Sequence, residues 1–507
     1  MFPSTPSDIA MAPHWSPESG LYRPTTLLSY WTNFIFTGND AFGFHLLNLL
    51  LYTVTGFLIY RLLAELSRNR LVGYLTALLF LTLPIHSEVV ANITGRSELL
   101  ALFFSLLLYL ECTRSEVRWW KSGLWMLLAI GSKETAIAAA PIAILVLYMS
   151  DYQRGNLART FSKPIFFVSL AQRVKYLFVT YFTTISALVI AAYTYFVLRF
   201  FALGPAHFFG VEASLIESPF LFTDPLSRVA TALQVLWMYV AKTFVPFGLC
   251  SDYTYNQLAI THSFLNTTTL AGSVVFVAAI GAFVYYLHRK PLVAFASGIF
   301  LFSFLPVSNL LFPIGAPAGE RWFYYPSLGF AIIVSYVLAT LLVSSRRYVA
   351  RAIATCLVFV FVMYTLLAFT RQSDWLSNER LFASAVRCAP QSVLSHSNMG
   401  AIYILQNNLT DARRELETAN DIAPIYSKGL SNLGLVYWRE GEKEKAREMY
   451  HAALQQSFPY AGAMENLALL YLSEGKPEDA RRWLNIFFGG RDTFVNAYLK
   501  GHTPPRQ

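Results

Sequence analysis

Asn398-Met-Gly-Ala-Ile-Tyr403, Asn432-Leu-Gly-Leu-Val-Tyr437 and Asn466-Leu-Ala-Leu-Leu-Tyr471 stand 34 residues apart in the C-terminal third of this 507-residue chain. Recurrence at that interval marks a supersecondary unit stacked on copies of itself, since one pair of helices cannot bury its apolar face alone.

The rest of each unit carries small residues where two helices would cross and large ones between them. Ala412, Leu416, Ala419 and Pro424 complete the first, Gly441, Ala446, Tyr450 and Ala453 the second, and Gly475, Ala480 and Leu484 the third, where Phe487 departs from the pattern. Period and pattern are those of the tetratricopeptide repeat. A partial unit from Trp375 to Pro390, ending Cys388-Ala389-Pro390, is expected to supply a first helix. An irregular helical domain is the plainer alternative, and it too would be helical.

Upstream of about residue 370 the composition changes. The chain is 55% hydrophobic and only 14% charged, with mean hydropathy +0.44, well beyond a soluble average. Apolar runs of membrane-spanning length are read near 42–60, 71–90, 98–112, 176–198, 268–287, 291–311, 323–344 and 352–369. Residues 122–149 read as two more, divided at Gly131-Ser-Lys-Glu134, while 226–246, with Arg228 and Lys242, reads as a span or an interfacial helix. The expected fold class is therefore all-α, a polytopic helical membrane domain followed by a tetratricopeptide α-solenoid.

Short cytoplasmic loops collect Lys and Arg. The basic gaps are Arg61, Arg68 and Arg70; Arg114, Arg118 and Lys121; Arg154, Arg159, Lys163, Arg173 and Lys175; Arg289 and Lys290; and Arg346, Arg347 and Arg351. With these in the cytoplasm, residues 86–97, 131–134, 200–267 and 313–321 lie on the opposite side, provided 226–246 does not cross, and so does the repeat array. The net charge of +9 is largely this loop bias and gives no reason to invoke nucleic acid.

Cys112, Cys250, Cys356 and Cys388 are scattered, and their spacing suggests neither a metal site nor a disulfide framework. Residues 1–40 hold no apolar core behind a basic start, so the first span is expected to act as the insertion signal. Sequons at Asn92, Asn266 and Asn408 would matter only in a eukaryotic secretory setting.

Ionisable residues at the ends of spans are costly and point to function. Four clusters qualify: Pro84-Ile-His86-Ser-Glu88 with Gly95-Arg96-Ser-Glu98; Ser132-Lys133-Glu134; Ser251-Asp252-Tyr253-Thr-Tyr255-Asn256; and Gly319-Glu320-Arg321-Trp-Phe-Tyr324-Tyr325-Pro326. Each has a bland alternative. His86 could cap a helix, Lys133 and Glu134 could pair to hide charge, Asp252 could sit in an interfacial turn, and Arg321 and Tyr324 could anchor an interface. Their shared side and complementary chemistry favour a site instead, with carboxylates for proton transfer and cations for a phosphate.

Tyr22-Arg-Pro24, the run from Asp40 to Asn48, these four clusters and the following repeats together resemble the transmembrane and tetratricopeptide-repeat O-mannosyltransferases, which are GT-C glycosyltransferases. The Asp252 motif looks like that of bacterial members. The resemblance implies transfer of a sugar, mannose in the eukaryotic members, from a polyprenyl- or dolichyl-phosphate donor to Ser or Thr hydroxyls of proteins outside the cytoplasm. It assigns Arg96, Lys133 and Arg321 to the donor phosphate, His86, Glu88 and Glu98 to the acceptor side as catalytic candidates, and Glu134, Asp252, Tyr255, Glu320 and Tyr324 to the pocket. The repeats would hold the acceptor polypeptide. No metal-ligand set and no cofactor beyond the lipid-linked donor is expected. The implied domains are an extracytoplasmic segment 1–40, a membrane domain 41–370, a repeat domain 371–490 and a tail 491–507. A bacterial inner membrane with periplasmic repeats is expected, the endoplasmic reticulum with luminal repeats being the alternative.

One departure bears on activity. The family's acidic catalytic pair follows an additional first span, whereas only Asp8, Glu18 and Asp40 precede residue 42 here, none adjacent to another. The expectation is that the true start lies upstream; the competing reading is a non-catalytic, membrane-anchored repeat scaffold. A transporter is disfavoured because no inverted repeat is visible.

Overall fold

Residues 12–14, 19–155, 166–208 and 214–502 are described by the computed structural model, and among them there is helix but no strand. Arg159, Lys163, Asp8 and Glu18, invoked above, fall outside the described residues.

Capping sets where the helices of the membrane domain begin. Asp40 accepts from the Phe42 N–H ahead of Ala41–Ser67, and Asn266 accepts from the Thr268 N–H ahead of Thr267–Tyr286. Each side chain satisfies a donor that the first helical turn leaves unpaired. Pro291 opens Pro291–Phe304 at the position where a missing N–H costs nothing. The core lies among Ala41–Ser67, Arg70–Thr82, Arg96–Cys112, Ala139–Gln153, Pro291–Phe304 and Tyr324–Ser344, where Leu62, Phe80, Leu102, Ile142, Phe295 and Leu328 are buried. Helices approach closely where side chains are absent: a Cβ on Gly272 would lie 1.9 Å from the Leu233 carbonyl oxygen, and one on Gly329 would lie 2.4 Å from that of Ala296.

Seven described helices are long and apolar enough to cross a membrane, and an eighth arises if Arg70–Thr82 and Pro84–Ala91, bent by 56°, form one broken span. Thr267–Tyr286 and Arg347–Leu376 are only 11% and 6% buried over their apolar windows, so their outer faces need lipid to cover them. The protein is a multi-pass membrane protein. The pair read at 122–149 forms as Trp119–Ser132 and Ala139–Gln153, separated at Lys133 by a tight turn, and the first is short because the chain breaks there.

Pro225–Phe244, left open above, forms a single helix. The chain leaving it returns to its start, where the Thr261 N–H donates to Thr231 Oγ1 at 3.0 Å and Ser227 Oγ lies 2.6 Å from His262 Nδ1. A helix Pro24–Thr37 forms in the N-terminal segment, where none was expected.

The repeats follow with one paired unit per period: Val393–Leu405 with Leu409–Ile422, Ser427–Arg439 with Lys443–Leu454, and Ala461–Ser473 with Pro477–Phe487. Gly400 lies under Leu416 and Gly434 under Tyr450, as the period requires. The turns between paired helices carry Asn407, Gly441 and Gly475 at positive φ, which glycine and asparagine tolerate. The partial unit forms a single helix, Asn378–Cys388, and Asp492–His502 closes the far end.

The cysteine reading needs correction. Cys250 and Cys388, 138 residues apart in sequence with Cα atoms 5.7 Å apart, form a disulfide joining a loop of the membrane domain to the first array helix. Two lone cysteines brought together by tertiary folding leave no signature in their spacing.

Candidate functional site

Where the broken helices meet, a cavity of about 880 Å³ opens. Glu98 reaches it from the first turn of Arg96–Cys112, Lys133 and Glu134 from the turn between Trp119–Ser132 and Ala139–Gln153, and Arg321 from the 3-10 turn Glu320–Phe323. Irregular turns between membrane helices are tolerated where they are buried in protein or line such a space.

Charges around the cavity are arranged in pairs. Lys133 Nζ donates to Glu98 Oε1, and both side chains are buried. Arg23 grips Glu134 with two bonds, Nε to Oε2 at 2.9 Å and Nη2 to Oε1 at 2.6 Å, the bidentate geometry in which arginine is strongest. Burial opposes the charge on Arg23, but Glu134 outweighs it and the pKa lies above the ordinary value. Burial likewise works against the charge on Lys133; there it wins over the attraction of Glu98, and the pKa falls. Arg321 Nη1 and backbone N–H both donate to Glu88, whose carboxylate stands behind the guanidinium rather than in the cavity lining.

Four of the expected residues, Glu98, Lys133, Glu134 and Arg321, thus share one space. The others serve elsewhere. Arg96 is wholly buried: Nε donates to Asn48 Oδ1 at 2.9 Å, Nη2 donates to Asn33 Oδ1 at 2.9 Å and to the Phe44 carbonyl at 2.8 Å, and Tyr30 covers its face at 4.8 Å. That guanidinium ties three helices together and does not line the cavity. His86 uses both ring nitrogens, on Tyr52 at 3.0 Å and Ser327 at 2.8 Å, with Tyr324 packed edge-on against it.

Glu320, next to Arg321, turns away from the cavity. It accepts from the Cys250 N–H at 2.7 Å and the Tyr253 hydroxyl at 2.5 Å, with Lys242 at 3.8 Å. Burial and the Glu320 carboxylate raise the Tyr253 phenol well above its usual pKa, so it remains a donor. Asp252 accepts from the Thr254 N–H at 2.9 Å, Thr254 Oγ1 at 2.6 Å, Ser395 Oγ at 2.7 Å and Ser392 Oγ. The Tyr255 carbonyl accepts from the Val393 N–H at 3.2 Å, and the Asn256 N–H donates to the Gln391 carbonyl at 3.0 Å. With the Cys250–Cys388 bond, these contacts make residues 250–256 the seat on which the array rests.

Two cations of the cavity lining carried no role in the sequence reading. Arg23 was visible only as the middle of Tyr-Arg-Pro, and Arg199 sits alone beyond the apolar run 176–198. The argument that an ionisable residue at a span end needs a reason, applied to single residues as well as clusters, would have found Arg199.

Fold and site define a class: a multi-pass helical membrane protein with a charged cavity and a tetratricopeptide array. Residues 26–172 match the family described as Dolichyl-phosphate-mannose-protein mannosyltransferase, and residues 427–457 and 461–485 match tetratricopeptide repeats. A protein O-mannosyl-transferase of Caenorhabditis elegans is 26% identical over 80% of this chain and 54% of its own length. The human protein O-mannosyl-transferases TMTC3 and TMTC4 are 26% and 25% identical over 80% and 78% of this chain and 45% and 57% of their own. The chain spans about half the length of these curated relatives. Over these spans the chain is similar to the transmembrane and tetratricopeptide-repeat O-mannosyl-transferases.

Proposed function

We propose that the cavity is a sugar-transfer site, at which mannose passes from a polyprenyl- or dolichyl-phosphate donor to a Ser or Thr hydroxyl of a protein outside the cytoplasm. The observation that carries this reading is the convergence of Glu98, Lys133, Glu134 and Arg321 on one space at the ends of apolar helices, in a chain with this similarity. In the transfer, the acceptor oxygen bonds to the sugar's anomeric carbon as the bond from that carbon to the phosphate oxygen breaks. The electron pair leaves with the phosphate, which gains negative charge, and the hydroxyl proton passes to a carboxylate. Cations fixed in the cavity stabilise that growing charge more than they stabilise the donor.

Lys133 and Arg321 are the phosphate-side residues of this reading. Glu98 is the carboxylate in reach of a bound acceptor, since His86 and Glu88 are engaged outside the cavity lining. Residues 41–370 form the transfer domain, and residues 371–490 bring an acceptor polypeptide to it. The seat's disulfide favours an oxidising compartment for the array. With the bacterial character of the Asp252 motif, that supports a periplasmic array on an inner membrane.

The test is transfer by the purified full chain in lipid nanodiscs, supplied with radiolabelled polyprenyl-phosphate mannose and Ser/Thr-rich polypeptides. Label on the polypeptide, abolished in Arg321→Ala, is expected. Donor that is neither bound nor consumed would overturn the reading.

A further inference from the structure

Four cations line the cavity, namely Arg23, Lys133, Arg199 and Arg321. Three are already matched: Arg23 by Glu134, Lys133 by Glu98 and Arg321 by Glu88. Arg199 differs. Among the described residues its partners are all neutral: Nη2 donates to the Gly20 carbonyl at 2.8 Å and to the Phe208 carbonyl at 3.4 Å, the Phe208 ring lies 5.7 Å away, and the Tyr195 hydroxyl is beside it. The two carboxylates that line the cavity, Glu98 and Glu134, are held by other cations. Among the described residues, the surplus positive charge of this space therefore resides on one guanidinium.

Position agrees with that surplus. Arg199 lies in Phe182–His207, five residues before the helix breaks at Gly204, or about 7.5 Å along the axis. An arginine near the end of an apolar helix ordinarily extends toward water. This one lines the cavity instead, bonded to the backbone of the segment leading to Arg23.

We propose that Arg199 is the anion anchor of the cavity and takes the phosphodiester of the lipid-linked sugar, a proposal that rests on the sugar-transfer reading above. A phosphate approaching Lys133 or Arg321 must compete with a carboxylate already bonded there, whereas among the described residues at Arg199 it displaces neutral groups. A guanidinium also offers a planar set of donors suited to phosphate oxygens. As the sugar leaves, the phosphate passes from one negative charge toward two, so a cation not already neutralised gains most.

The test uses the full chain in nanodiscs, with binding of polyprenyl-phosphate mannose measured directly and transfer measured in parallel. Arg199→Gln keeps a donor for the two carbonyls and removes the charge; Arg199→Lys keeps the charge and removes the planar fork. Arg199→Gln is expected to melt with the wild type while losing about 100-fold in transfer, the scale of deleting one oxyanion donor, with weakened donor binding, and Arg199→Lys should recover part of both. Wild-type binding and transfer matched by Arg199→Gln would overturn the assignment while leaving the transfer reading intact. Failure of the wild type itself to bind donor would overturn that reading. Polyprenyl phosphate and inorganic phosphate are added as competitors. Stronger competition by the lipid form supports the lipid source, and equal competition by inorganic phosphate would make this a free-phosphate site and overturn it.

Discussion

The Glu98–Lys133 pair and the Asp252 cluster are both carboxylate contacts built from short motifs, but they border different things. Glu98 and Lys133 meet at the wall of an open cavity, while Asp252 spends its acceptor capacity on four donors of its own chain, two of them serines of the array. Motif residues that look alike in sequence thus divide by place: Glu98 and Lys133, bonded to each other, border open space, while Asp252 fastens residues 250–256 to the array.

Removing one half of the cavity pair should have the largest effect. Lys133→Ala leaves Glu98 buried without its partner and is expected to cost about 3–5 kcal/mol, read as a lowered melting temperature in nanodiscs together with lost transfer. A variant as stable as the wild type would mean that the pair is solvated. On the other side of the comparison, Cys388→Ser should remove about 2–4 kcal/mol, visible as earlier melting and as protease cleavage near residue 390 of the solubilised protein, with donor binding unchanged. Loss of donor binding in that variant would show that seat and cavity are one unit.

A smaller change is expected for Asp252→Ala, about 1–3 kcal/mol, because the hydroxyls it leaves behind can turn to water only in part. Its signature is faster amide exchange at residues 391–395 without change at residues 133–134. The smallest belongs to Gly441→Ala, where φ is +87° and no neighbour lies within 4 Å; about 1 kcal/mol should be lost from the array alone, by differential scanning of the full chain.

How much of this was legible in advance follows from range of interaction. The array could be read from Asn398 to Tyr471 because each unit repeats local packing, small residue under large, at a fixed period. The four polar clusters could be read because ionisable residues stand out in apolar sequence. Which of them share a space could not, since Arg96 and Arg321 look equivalent until Asn48 and Asn33 are seen to claim one and Glu88 the other. Arg199 escaped because it has no charged neighbours in sequence, and Cys250 with Cys388 because the four α-helices between Cys250 and Asn378–Cys388 must fold before the two meet.

The last apolar helix, Arg347–Gln372, runs into the 3-10 turn Ser373–Leu376 with no residue between them, and Arg371 is bonded to Asp374 and Ser384 across that junction. The array therefore has no tether on which to swing. It is fastened at this junction and again at residues 250–256; on the transfer reading proposed above, a polypeptide lying along it would be offered to the cavity at one set distance, and geometry as well as sequence would select which hydroxyl arrives.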